Sequence, residues 1–301
     1  MWFIFALLTT FAWGGADLFY KKGTDSNDKY SHLKIVIMVG LVMGIHATVY
    51  MLTQGLSFNP YDLVKYLPVS ALYILSMAIG YIGLRYIELS IASPVQNSSG
   101  AITAILLFIF FPRELGMLHI VGVVIITAGV IGLAILEKNA ETAALKASNI
   151  QIDKKYQIGF LAITFPILYC ILDGLGTFAD GIYLDEMKLI SEDAALIAYE
   201  YTFLLCGIAA FLFLKLKKID FRVFQERDKG LAAILETAGQ FFYVFAMAKN
   251  AIIAAPLIAS YSIISVVLSR IFLKEKLSKA HYAVIVLVMI GIALLGFADE
   301  L

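Results

Sequence analysis

Charge is what this chain has least of. Asp, Glu, Lys and Arg together make up 15% of its 301 residues, against roughly one quarter in soluble domains. With a hydrophobic fraction of 61% and a mean hydropathy of +0.86, that shortage excludes an ordinary soluble domain. Acidic and basic residues balance at 23 each, so net charge offers no reason to expect a nucleic-acid partner. Cysteine is nearly absent. Cys170 and Cys206 both lie inside apolar segments without metal-ligand spacing and read as small core residues. There is no HExxH, and His46, His119 and His281 have no evident carboxylate or hydroxyl partner at helical spacing. An intramembrane enzyme is therefore not expected, and neither is a catalytic residue, a bound metal or a cofactor. The opening segment Trp2 to Tyr20 lacks a basic leader and a small-residue cleavage site and carries Trp13 and Asp17, so it is expected to be retained as a helix.

Apolar stretches, in contrast, follow one another with short polar gaps. About 20 apolar residues cross a hydrocarbon core roughly 30 Å thick. Such stretches fall near Trp2–Tyr20, Leu33–Leu52, Tyr66–Leu84, Ser90–Phe111 and Met117–Leu136, and again near Gln157–Ala179, Ala194–Leu214, Gly230–Ala248, Ile252–Leu273 and Ala280–Phe297. The expectation is an all-α membrane protein of ten transmembrane helices, multi-pass in the cytoplasmic membrane. Between the two sets of five, Glu137 to Tyr156 carries Glu137, Lys138, Glu141, Lys146, Asp153, Lys154 and Lys155, and reads as a polar connecting loop. The organisation is then 1–136, 137–156 and 157–301.

The two halves are related. A single constant shift lays Tyr81 on Tyr243, Ala92 on Ala254, Pro94 on Pro256 and Ser98 on Ser260, and further on Phe110 on Phe272 and Gly129 on Gly291. Shared proline, tyrosine and glycine mark a repeat. With an odd number of crossings per unit, the second copy must enter the membrane upside down, an arrangement on which alternating-access transporters are built. Phe11-Ala12-Trp13-Gly14-Gly15 then resembles the aromatic-x-Trp-Gly opening of the EamA family, within the drug/metabolite transporter superfamily. The Ile-Ala-(Ser/Ala)-Pro starts at Ile91 to Pro94 and Ile253 to Pro256 strengthen the resemblance, as do the acidic endings at Glu114-Leu115 and Glu275 to Leu277. It implies ten helices in two EamA-type halves, 1–136 and 157–301, and transport of small solutes. Cys170-Ile171-Leu172-Asp173-Gly174 departs from the aromatic-Trp pair often found in the second half.

Cations are segregated. Only Lys65, Arg113, Lys188 and Lys249 of the 23 fall on the side of the termini, which by the positive-inside rule puts both termini outside, although EamA relatives are more often described with both inside. Acids within the apolar segments need an interior partner or a wet cavity. Trp13, Asp17 and Tyr20 share one face of the first helix, Glu236, Gln240 and Tyr243 one face of the eighth, and Asp173, Thr177 and Asp180 one face of the sixth. Gln96, Asn97, Ser99 and Thr103 follow Pro94 in the fourth, Tyr261 sits among serines in the ninth, and Tyr81 and Glu200 lie in the third and seventh. These fourteen residues, without Tyr20 and Asp180, are the expected solute-binding set. The cargo is expected to be an amino acid, an amine or a similar metabolite, with proton coupling at Glu236 or Glu200 as an option and a non-transporting scaffold or sensor as the rival. Gly122, Gly129, Gly132, Gly291 and Gly296 read as close-packing surfaces, with a homodimer as one use for them.

Overall fold

The computed structural model describes residues 1–25, 27–147, 152–275 and 277–300, with side chains except at 137–138, 140–163 and 299–300. Among them every regular element is a helix. In lipid each backbone N–H and C=O must be satisfied within its own segment, and helices do this. In order they are α1 (Trp2–Gly23), α2 (Ser31–Gln54), α3 (Pro60–Gly83), α4 (Leu89–Asn97), α5 (Ser99–Phe110) and α6 (Met117–Ala147). There follow α7 (Ile152–Gly181), α8 (Glu192–Leu216), α9 (Arg227–Ala259), α10 (Tyr261–Leu268) and α11 (Lys279–Glu300). Local chemistry sets several ends. The Asn59 side chain accepts from the Tyr61 N–H ahead of Pro60, Ser191 caps α8 through the Ala194 N–H, and Gly55 ends α2 at φ 64°.

Nine of the described segments are long and apolar enough to cross a membrane. The difference from ten lies in Arg227–Leu273, a single 47-residue stretch. The connection expected between Ala248 and Ile252 is a kink and not a longer loop: two helical stretches meet there at one non-helical residue, Asn250, at φ −164°, ψ 77°. The polar loop expected at 137–156 is also largely helical, since α6 runs on to Ala147 and α7 begins at Ile152. Among the residues described with side chains, one apolar span runs Met117–Leu136 and the next Thr164–Glu186. Good helix formers such as Ala143, Ala144, Leu145 and Lys146 suit the helical winding of this stretch. Its charged side chains lie outside the described residues.

Packing follows the repeat. The contact of α1 with α9 and α10 has its counterpart in the contact of α7 with α3 and α5, while α2 packs on α8 and α6 on α11. Helices α4 and α5 are one apolar span broken at Ser98 (φ −61°, ψ −10°), and α9 passes into α10 through the same break at Ser260 (φ −66°, ψ −4°). Each break lies four residues after a proline, Pro94 or Pro256, that cannot donate to the helical ladder. Each is also stitched alike, Ala101 N–H donating to Ser98 and Ile263 N–H to Ser260. The glycines of α6 and α11 serve this interior. A Cβ on Gly129 would stand 2.2 Å from Val288, and Cβ atoms on Gly122 and Gly291 would meet Leu295 and Ile126. Gly296 faces Phe3, and only Gly132 opens on free space. The surfaces that suggested a homodimer are thus used within one copy, apart from Gly132.

Candidate functional site

At the centre, helices α1, α3, α4, α5, α7, α8, α9 and α10 line a chamber of about 70 Å³. One water needs roughly 10–15 Å³ on the same measure, so the space suits a small cluster of waters or a small solute. Three carboxylates reach it: Asp17, Asp173 and Glu236. Asp17 Oδ2 accepts from the hydroxyls of Ser93 on α4 (2.6 Å) and Ser265 on α10 (2.7 Å), and Asp173 Oδ2 accepts from Ser99 on α5 (2.7 Å). Tyr20 points its hydroxyl at Glu236 Oε2 at a long 3.5 Å. Among the described residues no Lys, Arg or His lines the chamber.

The aromatic wall is ordered around Trp13. Its Nε1 donates to the backbone carbonyl of Glu236 (3.2 Å), and its ring lies 5.0 Å from Tyr243 and 5.7 Å from Tyr261. Such closeness requires Gly239, because a Cβ there would stand 2.3 Å from the indole. Tyr20 and Tyr81 form a second pair at 4.8 Å. The helical faces read from spacing therefore converge. Trp13, Asp17 and Tyr20 point into the chamber from α1, and Glu236, Gln240 and Tyr243 from α9. Asp173 and Thr177 do so from α7, with Gln96, Asn97 and Ser99 opposite and Tyr81 and Tyr261 beside them.

Two of the expected residues lie elsewhere. Thr103 sits one turn beyond the chamber and donates to the Gly174 carbonyl (3.1 Å), tying α5 to α7. Glu200 is fully buried between α2 and α8, with both carboxylate oxygens 2.8 Å from His46 Nδ1. That pair gives His46 a carboxylate partner that helical spacing could not reveal, since 154 positions separate the two. His281 too has a partner, the Ser278 hydroxyl at 2.6 Å, in a turn that starts α11. Asp180, on the face of Asp173, accepts from the buried Tyr66 hydroxyl and stays outside the chamber.

The family model of the EamA-like transporter family matches residues 1–135 and 165–297. The chain belongs to that family. Its match falls in two pieces, one in each half of the chain, and leaves out the polar junction. A solved structure titled "Crystal structure of protein" shares 14% identity over 97% of each chain with a TM-score of 0.64, which shows a common fold. No curated protein matches. The chain is thus a multi-pass membrane protein of an EamA-type transporter family.

Both ends of this EamA chamber carry ties between the repeats. Toward the termini, Tyr73 meets Tyr243 and donates to Thr177 (3.0 Å). Farther out Arg113 holds Asp185 (3.0 Å) and Glu186 (2.9 Å), and Asp185 accepts from the Ala251 N–H (2.9 Å). At the opposite end Glu275 accepts from the N–H groups of Leu89 (3.3 Å) and Ser90 (3.0 Å), satisfying two donors at the start of α4. There too, within the first repeat, Lys21 donates to the carbonyls of Leu84 (2.7 Å) and Ile87 (2.6 Å). The shift that superposes the repeats lays Arg113 on Glu275, so one repeat position serves both ends with opposite charge. The EamA chamber also includes Tyr73, Met77, Tyr169 and Tyr199, which were not among the expected residues. Three of them were legible: Tyr73 and Met77 share the α3 face of Tyr81, and Tyr169 lies one turn before Asp173. Tyr199 was not, because only packing shows that α8 turns this residue, and not its neighbour Glu200, toward the centre.

Proposed function

We propose that this EamA-family protein is a secondary transporter that carries a small metabolite, an amino acid, amine or similar solute, across the cytoplasmic membrane by alternating access, with proton coupling at a chamber carboxylate. The gathering of Asp17, Asp173 and Glu236 around one polar space without a lining cation carries the reading. An acid at the bilayer centre costs about 2.5–3.5 kcal/mol on insertion scales. Three at one depth are retained where protons, water or a cationic solute meet them, and a scaffold has no use for them.

In this reading the chain crosses ten times, in two oppositely inserted quintets spanning 1–136 and 157–301. Arg227–Leu273 supplies two crossings: its two helical stretches meet at the non-helical Asn250, where the chain would turn back, and its 47 residues are more than twice the roughly 20 that one crossing needs. The reciprocal contacts of α1 with α9 and α7 with α3 support that arrangement. Rocking of the repeats would release the Arg113–Asp185 tie at one end and the Glu275 tie at the other in turn, with Ser98 and Ser260 as matched points of flexure.

The test is flux in proteoliposomes loaded with a metabolite panel, with and without an imposed proton gradient. Replacing Glu236 by Gln is expected to abolish gradient-driven accumulation, a loss of at least tenfold, while the protein still purifies as a monodisperse species. Accumulation that is unchanged and still gradient-dependent in Glu236→Gln removes this carboxylate from coupling. Absence of any solute flux in the wild type removes the carrier reading.

A further inference from the structure

The chamber also specifies what kind of solute it would hold, and this step rests on the carrier reading. We infer that the cargo is an organic cation, an amine that carries a hydroxyl or carbonyl group and no free carboxylate.

The charge balance of the wall comes first. Asp17 and Asp173 are held by the neutral hydroxyls of Ser93, Ser265 and Ser99, which fix their oxygens without neutralising them. No Lys, Arg or His among the described residues lines the space, so a cargo carboxylate would find only other carboxylates to face. An ammonium finds up to three acids. The fixed face of Trp13, backed by Tyr243 and Tyr261, adds a surface that attracts a cation. An anion would meet the same electron-rich faces and be repelled.

The second observation is an unused donor. Gln240 lines the chamber, is 3% exposed, and its Nε2 has no hydrogen-bond partner among the described residues. A buried donor left unpaired costs the full desolvation of its group, and a cargo oxygen would remove that cost. Gln240 lies one helical turn after Glu236, so their side chains leave the same face of α9 about 5–6 Å apart at Cβ. A cargo satisfying both carries its ammonium and its acceptor on a short spacer. The amine would lie toward Glu236 and Asp17, the oxygen toward Gln240.

Pairs of amines and their parent amino acids test this directly. Ethanolamine against serine and tyramine against tyrosine differ only by the carboxylate; ethylamine and phenethylamine lack the acceptor, and 3-hydroxypropionate lacks the amine. Binding is read as the thermal shift of the purified full-length protein, and transport as counterflow in proteoliposomes. At least one hydroxylated amine is expected to bind ten times or more tightly than its parent amino acid and five times or more tightly than its deoxy analogue. Gln240→Leu is expected to erase the second preference and keep the first. The inference is overturned if neither hydroxylated amine binds more tightly than its parent amino acid, if 3-hydroxypropionate binds better than ethanolamine, or if all four amines are inert. Inert amines with flux of some other solute in the wider panel overturn the cation assignment and leave the carrier reading standing. No flux of any solute takes down both.

Discussion

Replacing Gly239 by Ala tests the chamber wall and the fold together. A Cβ at this position would stand 2.3 Å from Trp13 Cδ1 and 2.5 Å from Nε1, where ordinary contact begins at 3.4 Å. The indole must therefore retreat by about 1 Å, because α1 and α9 are packed along their length and cannot part without opening other contacts. Overpacking of this kind costs about 1–3 kcal/mol. Retreat also stretches the 3.2 Å bond to the Glu236 carbonyl, worth about 0.5–1.5 kcal/mol, and disturbs the pairing with Tyr243. Against this, Ala gains about 0.8–1.0 kcal/mol over Gly in a helix. The net expectation is destabilisation of about 1–2 kcal/mol, with the indole moved out of register. Trp2 and Trp13 are the only tryptophans, so in a Trp2→Phe background the emission of Trp13 can be followed alone. It is expected to shift in wavelength on Gly239→Ala, with a lower melting temperature and reduced flux. Gly132→Ala is the control, since a Cβ there meets nothing within 4 Å, and it should be neutral or stabilising. Unchanged emission, stability and flux in Gly239→Ala would refute the close approach of Trp13 to α9 on which the wall depends.

Breaking the His46–Glu200 pair should be costly from one side only. His46→Leu strands a fully buried carboxylate and is expected to destabilise by up to about 3 kcal/mol, toward the low end for a buried pair because His46 is partly exposed. The double variant with Glu200→Leu should recover most of that loss, and a double variant no more stable than His46→Leu would show that the pair is not the cause. Outside the membrane, burial pushes the Asp28 carboxyl up, but the Lys34 ammonium at 2.8 Å and the Tyr30 N–H outweigh it and hold the group below its ordinary range. A depressed carboxylate contributes stability above its unfolded value of about 3.9 and loses it as pH falls through the folded value. The melting temperature of the wild type should thus fall more steeply below about pH 4 than that of Asp28→Asn; parallel profiles would remove Asp28 from the acid response.

Much of the helix plan was legible because the bilayer imposes it. Apolar stretches of about 20 residues have to span, and their polar gaps have to turn. Two places escaped that logic. Around Asn250 the gap was too short for hydropathy to tell a kink from a loop, and at 137–156 hydropathy located the polar stretch but carried no sign of its helical propensity. The chamber faces on α1, α7 and α9 were readable for a related reason, that acids and amides placed at i, i+4 and i+7 in an apolar helix have to share one sheltered direction. Glu200 defeated the same reasoning, since a buried acid can be answered by a side chain from another helix as well as by a cavity.

The one-dimensional pattern alone determined that this chain lives in a membrane, that it is helical and doubled, and which stripes of its helices are polar, because these depend on composition and on the 3.6-residue period. Which stripes meet was decided only by tertiary packing. It sent Asp17, Asp173 and Glu236 to one chamber and Glu200 to His46, joined Arg113 to Asp185 and Glu275 to the start of α4, and used most of the α6 and α11 glycines inside a single copy. Those outcomes depend on how helices distant in the chain rotate and cross, and short-range spacing holds no record of either.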